Sequence, residues 1–133
     1  MLTEKEAHMD EKEVKSREEV ESFLRQFFPK LEVWGIIFLN RDKNQEALAA
    51  LGIVPSARET IVREIRSDDY VETFLKSSQY GEMWVFGKDF KGKELYIKIS
   101  LGRPNNKTIC ISLHEAEDRI RYAFKGKEKN HEN

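Results

Sequence analysis

The sequence predicts one α+β domain in which helices pack on one face of an antiparallel β-sheet. Two patterns support this prediction. Apolar residues at helical spacing follow a capping signal at Ser16, and within residues 83–117 three apolar runs alternate with short, turn-rich, basic connections. The length of 133 residues suits a single domain, which at this size buries about two thirds of the surface of the unfolded chain.

Both ends of the chain are polar and highly charged. We expect residues 1–13 to form a polar arm and residues 126–133 to form a solvated tail. Between them, residues 14–125 contain no internal repeat, no low-complexity segment and no linker. One α+β domain is therefore assigned to residues 14–125.

The first element is an amphipathic helix. Ser16 is followed three residues later by Glu19, the spacing of a capping box that satisfies the free amides of a first helical turn. Apolar residues then recur on one helical face: Val20, Phe23, Leu24, Phe27 and Phe28. We expect the helix to end at Pro29.

The next segment, Val33–Leu39, is apolar on both faces and rich in β-branched and aromatic residues, which predicts a strand covered on both sides. Asn40–Asn44 is a polar turn. Gln45–Leu51 then shows the spacing of a short helix, and Gly52 stands where a C-terminal glycine would end it.

A second capping box is predicted at Ser56 and Glu59, with a helix running to about Arg66. Ile61, Val62 and Ile65 form its apolar side. The residues that follow, Ser67–Gly81, show no sustained period, which indicates a loop with a turn of helix at most.

The C-terminal part predicts a three-stranded meander, with strands at about Met83–Lys88, Glu94–Leu101 and Thr108–His114. A short hairpin at Gly92 and a turn at Pro104 connect them. Simple alternation divides the second and third strands into an apolar face and a polar face. The residues expected on the polar face are Tyr96, Lys98, Ser100, Thr108, Cys110, Ser112 and His114.

Composition favours a soluble protein in a reducing compartment, and we expect the cytoplasm. Cys110 is the only cysteine, so neither an intramolecular disulfide nor a cysteine-rich zinc site can form. The N-terminus lacks a signal-peptide core and no run is apolar enough for a membrane helix. Net charge is −1, but residues 88–107 carry six basic and two acidic residues, an excess that can attract a polyanion.

The polar face of the meander holds the groups for one kind of chemistry. No phosphate-binding glycine loop, dinucleotide fingerprint, nucleophile elbow or histidine pair is present, so we expect no metal and no cofactor. His114, Tyr96 and Lys98 together could cleave RNA by internal transfer: histidine and tyrosine can move protons, and lysine can offset charge at phosphorus. The basic residues expected to hold flanking phosphates are Lys76, Lys88, Arg103 and Lys107.

Each of these residues also has a purely structural interpretation. A histidine at a strand end is more often structural or solvated than catalytic, and a tyrosine on a strand is more often a cross-strand packing residue. Lys98 could be an ordinary exposed strand lysine, and the basic hairpins could protect a sheet edge from aggregation. The pattern alone leaves both interpretations open.

Several of these segments resemble one known family. VWGIIFLN, MWVFGK, ELYIKISLGRPN, ICISLHEAE and YAFK, within about Leu31–Lys125, resemble the motility quorum-sensing regulator (MqsR) family of bacterial type II toxins. Members of that family are mRNA interferases of RelE-like fold. The resemblance implies an mRNA substrate and a separate antitoxin protein as partner; it leaves the oligomeric state open.

The same resemblance implies particular roles. Tyr96 falls on the family's active-site tyrosine, and His114 falls where better-known members have a functional lysine. Lys76 could match another functional lysine. This chain departs from the family at Val85, which stands where those members have a functional glutamine and which cannot hydrogen-bond. We therefore expect a toxin-like, metal-independent endoribonuclease. The alternative is a non-catalytic module that uses the same sheet to dock a protein partner or nucleic acid.

Overall fold

The computed structural model describes residues 11–39, 42–75 and 79–125. Within these ranges, six strands form one sheet in the order β1-β3-β4-β5-β6-β2. The strands are β1 (Lys12–Glu13), β2 (Ile36–Phe38), β3 (Tyr70–Phe74), β4 (Met83–Phe90), β5 (Lys93–Ser100) and β6 (Thr108–Glu115). All neighbours are antiparallel except β2 and β6, which are parallel. The α+β class is confirmed.

Helix α1 spans Arg17–Trp34 and begins with the predicted capping box: Ser16 Oγ accepts from the Glu19 N–H at 3.2 Å, and Glu19 Oε1 accepts from the Ser16 N–H at 3.0 Å. The predicted end at Pro29 is wrong, because Pro29 lies inside the helix. Proline removes one backbone hydrogen bond, but Leu31, two residues further on, continues the apolar stripe and is buried in the core. That burial offsets the lost bond.

The predicted covered strand at Val33–Leu39 is also wrong. Val33 and Trp34 complete α1, and both are exposed. Gly35, with φ of 89°, ends the helix, so only Ile36–Phe38 remains as β2 at the edge of the sheet. An apolar run does not by itself distinguish a buried strand from a helix that continues into it.

Two short helices follow. Helix α2 spans Asp42–Leu51 and ends, as predicted, at Gly52, whose φ is 69°. Helix α3 spans Arg58–Arg63 after a 3₁₀ turn at Pro55–Ala57. The second capping box is wrong, because Ser56 lies inside the 3₁₀ turn that Pro55 begins and no side chain caps α3.

The segment predicted to be a loop contains a strand that sequence reasoning missed. A 3₁₀ turn at Ser67–Asp69 leads into β3, and an irregularity between Tyr70 and Glu72 breaks the pairing of β3 with β4. That irregularity disrupts the period-two pattern by which a strand is recognised. On its other side β3 pairs with β1, so Lys12 and Glu13 at the end of the predicted polar arm belong to the sheet.

A second irregularity changes which residues of β6 face the core. Lys98 pairs with Ser112, but the next residue, Ile99, pairs with Cys110, so Ile111 is an extra residue. A shift of one residue moves the preceding side chains to the opposite face. Cys110, predicted on the polar face, is consequently buried in the core, and burial raises the pKa of its thiol to about 12.

The core lies between α1 and the sheet. Phe23 of α1 stacks on Trp84 of β4, with ring centroids 4.3 Å apart, and lies 6.3 Å from the ring of Phe86. Buried aliphatic side chains of β5, β6 and α3 belong to the same cluster. Since the helices occupy this face, the opposite face of the sheet is free to form a site.

Residues 116–125 run back over that opposite face. Gly87 pairs with Tyr96, and a Cβ added at Gly87 would lie 2.7 Å from the hydroxyl of Tyr122. The Ala123 N–H then donates to the Tyr70 carbonyl at 2.9 Å. We call residues 116–125 the C-terminal segment.

Candidate active site

A cleft of about 630 Å³ lies between the sheet face opposite the helices and the C-terminal segment. The strand residues that line it include Val71, Glu72, Tyr96, Lys98, Ser112 and His114. Cross-strand pairing places these side chains in two rows, Val85–Lys98–Ser112 and Gly87–Tyr96–His114. The structure therefore brings together Tyr96, Lys98 and His114, the three residues that the sequence predicted would converge.

Tyr96 and His114 are direct cross-strand partners, and their rings stack with centroids 5.1 Å apart and an angle of 15° between planes. His114 is buried, and its Nδ1 lies 2.9 Å from the Glu115 carbonyl oxygen. A carbonyl only accepts hydrogen bonds, so Nδ1 carries the proton. In the neutral imidazole, Nε2 is then the basic nitrogen.

The hydroxyl of Tyr96 is held in its protonated form. Burial, and secondarily the negative charge of Glu72, raise the pKa of Tyr96 to about 12. Near neutral pH this hydroxyl can donate a hydrogen bond, but it cannot act as a base. Any base in the cleft must be a different group.

Lys98 supplies a positive charge beside these rings. Its Nζ lies 4.4 Å from the centroid of the Phe74 ring and 5.7 Å from that of Tyr96. Cation–π contacts of this kind hold an ammonium group in place while it keeps its charge. The cleft therefore combines a fixed cation with a protonated hydroxyl and an imidazole.

Lys88, predicted to contact phosphate, is not brought to the cleft. It pairs with Leu95, so its side chain emerges on the core face of the sheet. There its Nζ lies 3.2 Å from Asp69 Oδ2, and it also donates to the Glu64 carbonyl at 2.9 Å. Asp69 is buried, so Lys88 neutralises a buried carboxylate. Lys76, a further predicted phosphate contact, lies outside the described residues.

Arg103 and Lys107 lie in a second groove of about 540 Å³. Ile109 also lines this groove and pairs with Ser100, which is two residues from Lys98 in β5 and so shares the face of Lys98 and Tyr96. The groove therefore opens on the same sheet face as the cleft. Both basic side chains are exposed, as a contact to a flanking phosphate requires.

Sequence reasoning missed five charged residues of the cleft: Glu72, Glu117, Asp118, Arg119 and Arg121. Glu72 belongs to β3, the strand that was mistaken for a loop. Arg119 and Arg121 belong to the C-terminal segment, where the Ile120 N–H donates to Glu94 Oε1 at 3.1 Å. No local pattern identifies these residues, because the chain must first turn back over the sheet to bring them to the cleft.

Val85 lies in the same row as Lys98 and pairs on its other side with Glu72. It has no exposed surface. At this position the chain therefore contributes an apolar contact between two charged residues, with no group that could recognise a base or a phosphate.

Comparisons of the chain with protein-family models, curated proteins and solved structures give no match. Among the described residues, no three histidine, cysteine, aspartate or glutamate side chains are grouped as a metal site. None of the described helices combines the length and the apolar character needed to cross a membrane.

Proposed function

We propose that this protein is a metal-independent endoribonuclease that cleaves mRNA by internal transfer. The observation that carries the proposal is the stacked pair of Tyr96 and His114 beside the Lys98 ammonium, in a cleft of about 630 Å³. Internal transfer needs a proton acceptor, a proton donor and a positive charge near phosphorus. All three kinds of group line this one cleft.

In the proposed reaction, the ribose 2′-oxygen loses its proton and attacks the adjacent phosphorus. The bond from phosphorus to the 5′-oxygen breaks, and that oxygen takes a proton. The products are a 2′,3′-cyclic phosphate and a 5′-hydroxyl. His114 and Tyr96 take part in proton transfer, and Lys98 offsets the negative charge that builds on the non-bridging oxygens.

Flanking phosphates on the same strand of RNA would contact Arg103 and Lys107. These two residues line a groove that opens on the same sheet face as the cleft. Lys76 is proposed as a further contact. Lys88 is the weakest of the four, because it already bonds to Asp69. Backbone contacts of this kind add affinity that falls with salt.

The assignment to a type II toxin–antitoxin system rests on the resemblance to the MqsR family. It implies cytoplasmic action on mRNA and neutralisation by a cognate antitoxin. Induced expression should arrest growth, and a small DNA-binding protein encoded beside this gene should restore it. Normal growth on induction would count against the toxin assignment without excluding cleavage.

The experiment that tests the activity is RNA cleavage by the purified protein with a chelator present. We expect the parent to cut single-stranded RNA, and His114→Ala and Tyr96→Phe to cut it more slowly. Removing a group that transfers protons costs about 100-fold or more. Equal activity of the parent and both variants would remove the assignment.

Val85 favours a second candidate, a non-catalytic module that binds a protein or nucleic acid through the same sheet. The residue between Glu72 and Lys98 is apolar and fully buried, so the cleft lacks one polar group of the resembling family. The same assay separates the two candidates. A binding module would retain RNA on a filter at low salt and leave every strand intact.

A further inference from the structure

We infer that Glu72 is the general base that removes the proton from the ribose 2′-hydroxyl. This inference rests on the proposed function and adds a catalytic residue to it. The carboxylate would take the 2′-hydroxyl proton as the 2′-oxygen bonds to phosphorus. Protonated His114 would deliver its proton to the departing 5′-oxygen, with the protonated Tyr96 hydroxyl donating a hydrogen bond to the reacting phosphate, so both protons are accounted for.

The arrangement of Tyr96 and His114 creates the need for another group. They are direct cross-strand partners with stacked rings whose centroids are 5.1 Å apart, so the two groups lie side by side in the cleft. In phosphoryl transfer the attacking and leaving oxygens lie roughly in line through phosphorus. The proton acceptor and the proton donor must therefore stand on opposite sides of it.

Glu72 stands on the opposite side of the cleft from His114. It belongs to β3 and His114 belongs to β6, with β4 and β5 between them. At an inter-strand spacing of about 4.8 Å, their backbones are roughly 14 Å apart. Both side chains line the same cleft, which leaves space between them for a phosphodiester above Lys98.

Electrostatics places the Glu72 carboxylate near the chemistry. Its negative charge is one of the two causes that raise the pKa of Tyr96, so it acts on the hydroxyl at the cleft floor. Tyr96 stays protonated and cannot compete as the base. The other charged or titratable side chains that line this cleft are Tyr96, Lys98, His114, Glu117, Asp118, Arg119 and Arg121.

The simpler interpretation is that Glu72 only pairs with a lysine. Its carboxylate lies 3.6 Å from Lys12 Nζ, and the side chains of Glu72 and Lys12 are 26% and 48% exposed. A pair this exposed contributes little to stability. It leaves the carboxylate accessible from the cleft, as a base must be.

The test is the pH dependence of single-turnover RNA cleavage with a chelator present. For Glu72→Gln we expect a rate at least about 100-fold below that of the parent and loss of the acidic limb of the profile. Glu72→Asp should be slower than the parent and keep the acidic limb. Lys12→Ala should resemble the parent, because the ion pair is not the source of the effect.

Glu82→Gln is the matched control. Glu82 also pairs with a lysine at 3.6 Å, but it does not line the cleft, so its variant should keep the parental rate and profile. Thermal unfolding establishes that each variant is folded. If Glu72→Gln does not fold, Glu72→Asp is the test. A Glu72→Asp variant that cleaves RNA at the parental rate would overturn the inference.

The outcomes separate this inference from the proposed function. If the parent cleaves RNA, His114→Ala does not, and Glu72→Gln keeps the parental rate and acidic limb, the role of Glu72 is overturned and the endoribonuclease stands. If Lys12→Ala and Glu72→Gln lower the cleavage rate equally, the role of Glu72 as a base is also overturned, and the ion pair between the two residues explains the effect. If the parent itself does not cleave RNA, the proposed function fails and this inference fails with it.

Discussion

Gly87 and Tyr122 are in direct contact: a Cβ added at Gly87 would lie 2.7 Å from the hydroxyl of Tyr122. The absence of a side chain at Gly87 is what lets the C-terminal segment lie against the sheet. That segment brings Arg119 and Arg121 to the cleft. Gly87 therefore leaves room on β4 for the side chains of Tyr122 and Ile120 to pack against the sheet.

Gly87→Ala is expected to destabilise the fold. The new methyl group would meet Tyr122 and also the Ile120 side chain, at 2.8 Å, and overpacking of this kind costs about 1–3 kcal/mol. Urea denaturation of the parent and the variant measures the loss. The double variant Gly87→Ala/Tyr122→Ala is the control, because without the Tyr122 ring the new methyl group meets only the Ile120 side chain and the alanine should cost less stability than it does alone. Additive losses would contradict the contact.

Lys88 and Lys98 should give opposite results when each is replaced by alanine. Lys88→Ala removes a cation from the buried Asp69, and we expect a loss of about 2–3 kcal/mol, less than is usual for a buried pair because Lys125 also bonds to Asp69. The Lys88→Ala variant should bind RNA with the affinity of the parent. Lys98→Ala should leave stability nearly unaltered, weaken RNA binding, and reduce the slope of log affinity against log salt by about 1.

Filter binding over a range of salt concentrations, with urea denaturation of the same samples, measures both quantities. Weaker RNA binding by folded Lys88→Ala would show that Lys88 contacts RNA after all. Unchanged binding by Lys98→Ala would remove Lys98 from the proposed site.

Ionisation of Tyr96 makes the free energy of unfolding depend on pH in the alkaline range. The raised pKa means that the fold favours the neutral phenol, so this stabilisation is complete below about pH 10, the ordinary value, and is lost as pH rises towards about 12. Tyr96→Phe should lose less stability over this window. It should still lose some, because the pKa values of Tyr70 and Tyr122 are also raised.

The ultraviolet absorbance of tyrosinate follows the same titration directly. Glu72→Gln should move the Tyr96 transition to lower pH, because it removes a negative charge that opposes ionisation. Glu82→Gln should leave that transition in place. An unchanged transition in Glu72→Gln would show that this carboxylate does not act on the Tyr96 hydroxyl.

The sequence predicts the centre of the fold and much of the site. Apolar runs identify β4, β5 and β6, and period-two alternation within β5 and β6 places Tyr96, Lys98 and His114 on one face. The start of α1 is equally predictable, since the capping box at Ser16 is a local interaction.

The parts that could not be predicted depend on long-range structure. β3 is obscured by its irregular pairing near Tyr70, and Cys110 reaches the core through an extra residue in β6 that no alternation rule foresees. α1 continues past Pro29, and Leu31 beyond it is buried in the core. Glu72 and Arg121 line the same cleft. Glu72 is brought there by β3, the strand that the sequence did not predict, and Arg121 by the C-terminal segment, which runs back over the sheet.

The cleft around Tyr96 and His114 is proposed to cleave RNA by internal transfer. Analysis of the new RNA ends, after single-turnover cleavage by the parent with a chelator present, tests this most directly. We predict a 2′,3′-cyclic phosphate on one fragment and a 5′-hydroxyl on the other, with both ends formed at least about 100-fold more slowly by His114→Ala. A 5′-phosphate on the downstream fragment, or an equal rate for His114→Ala, would contradict the account.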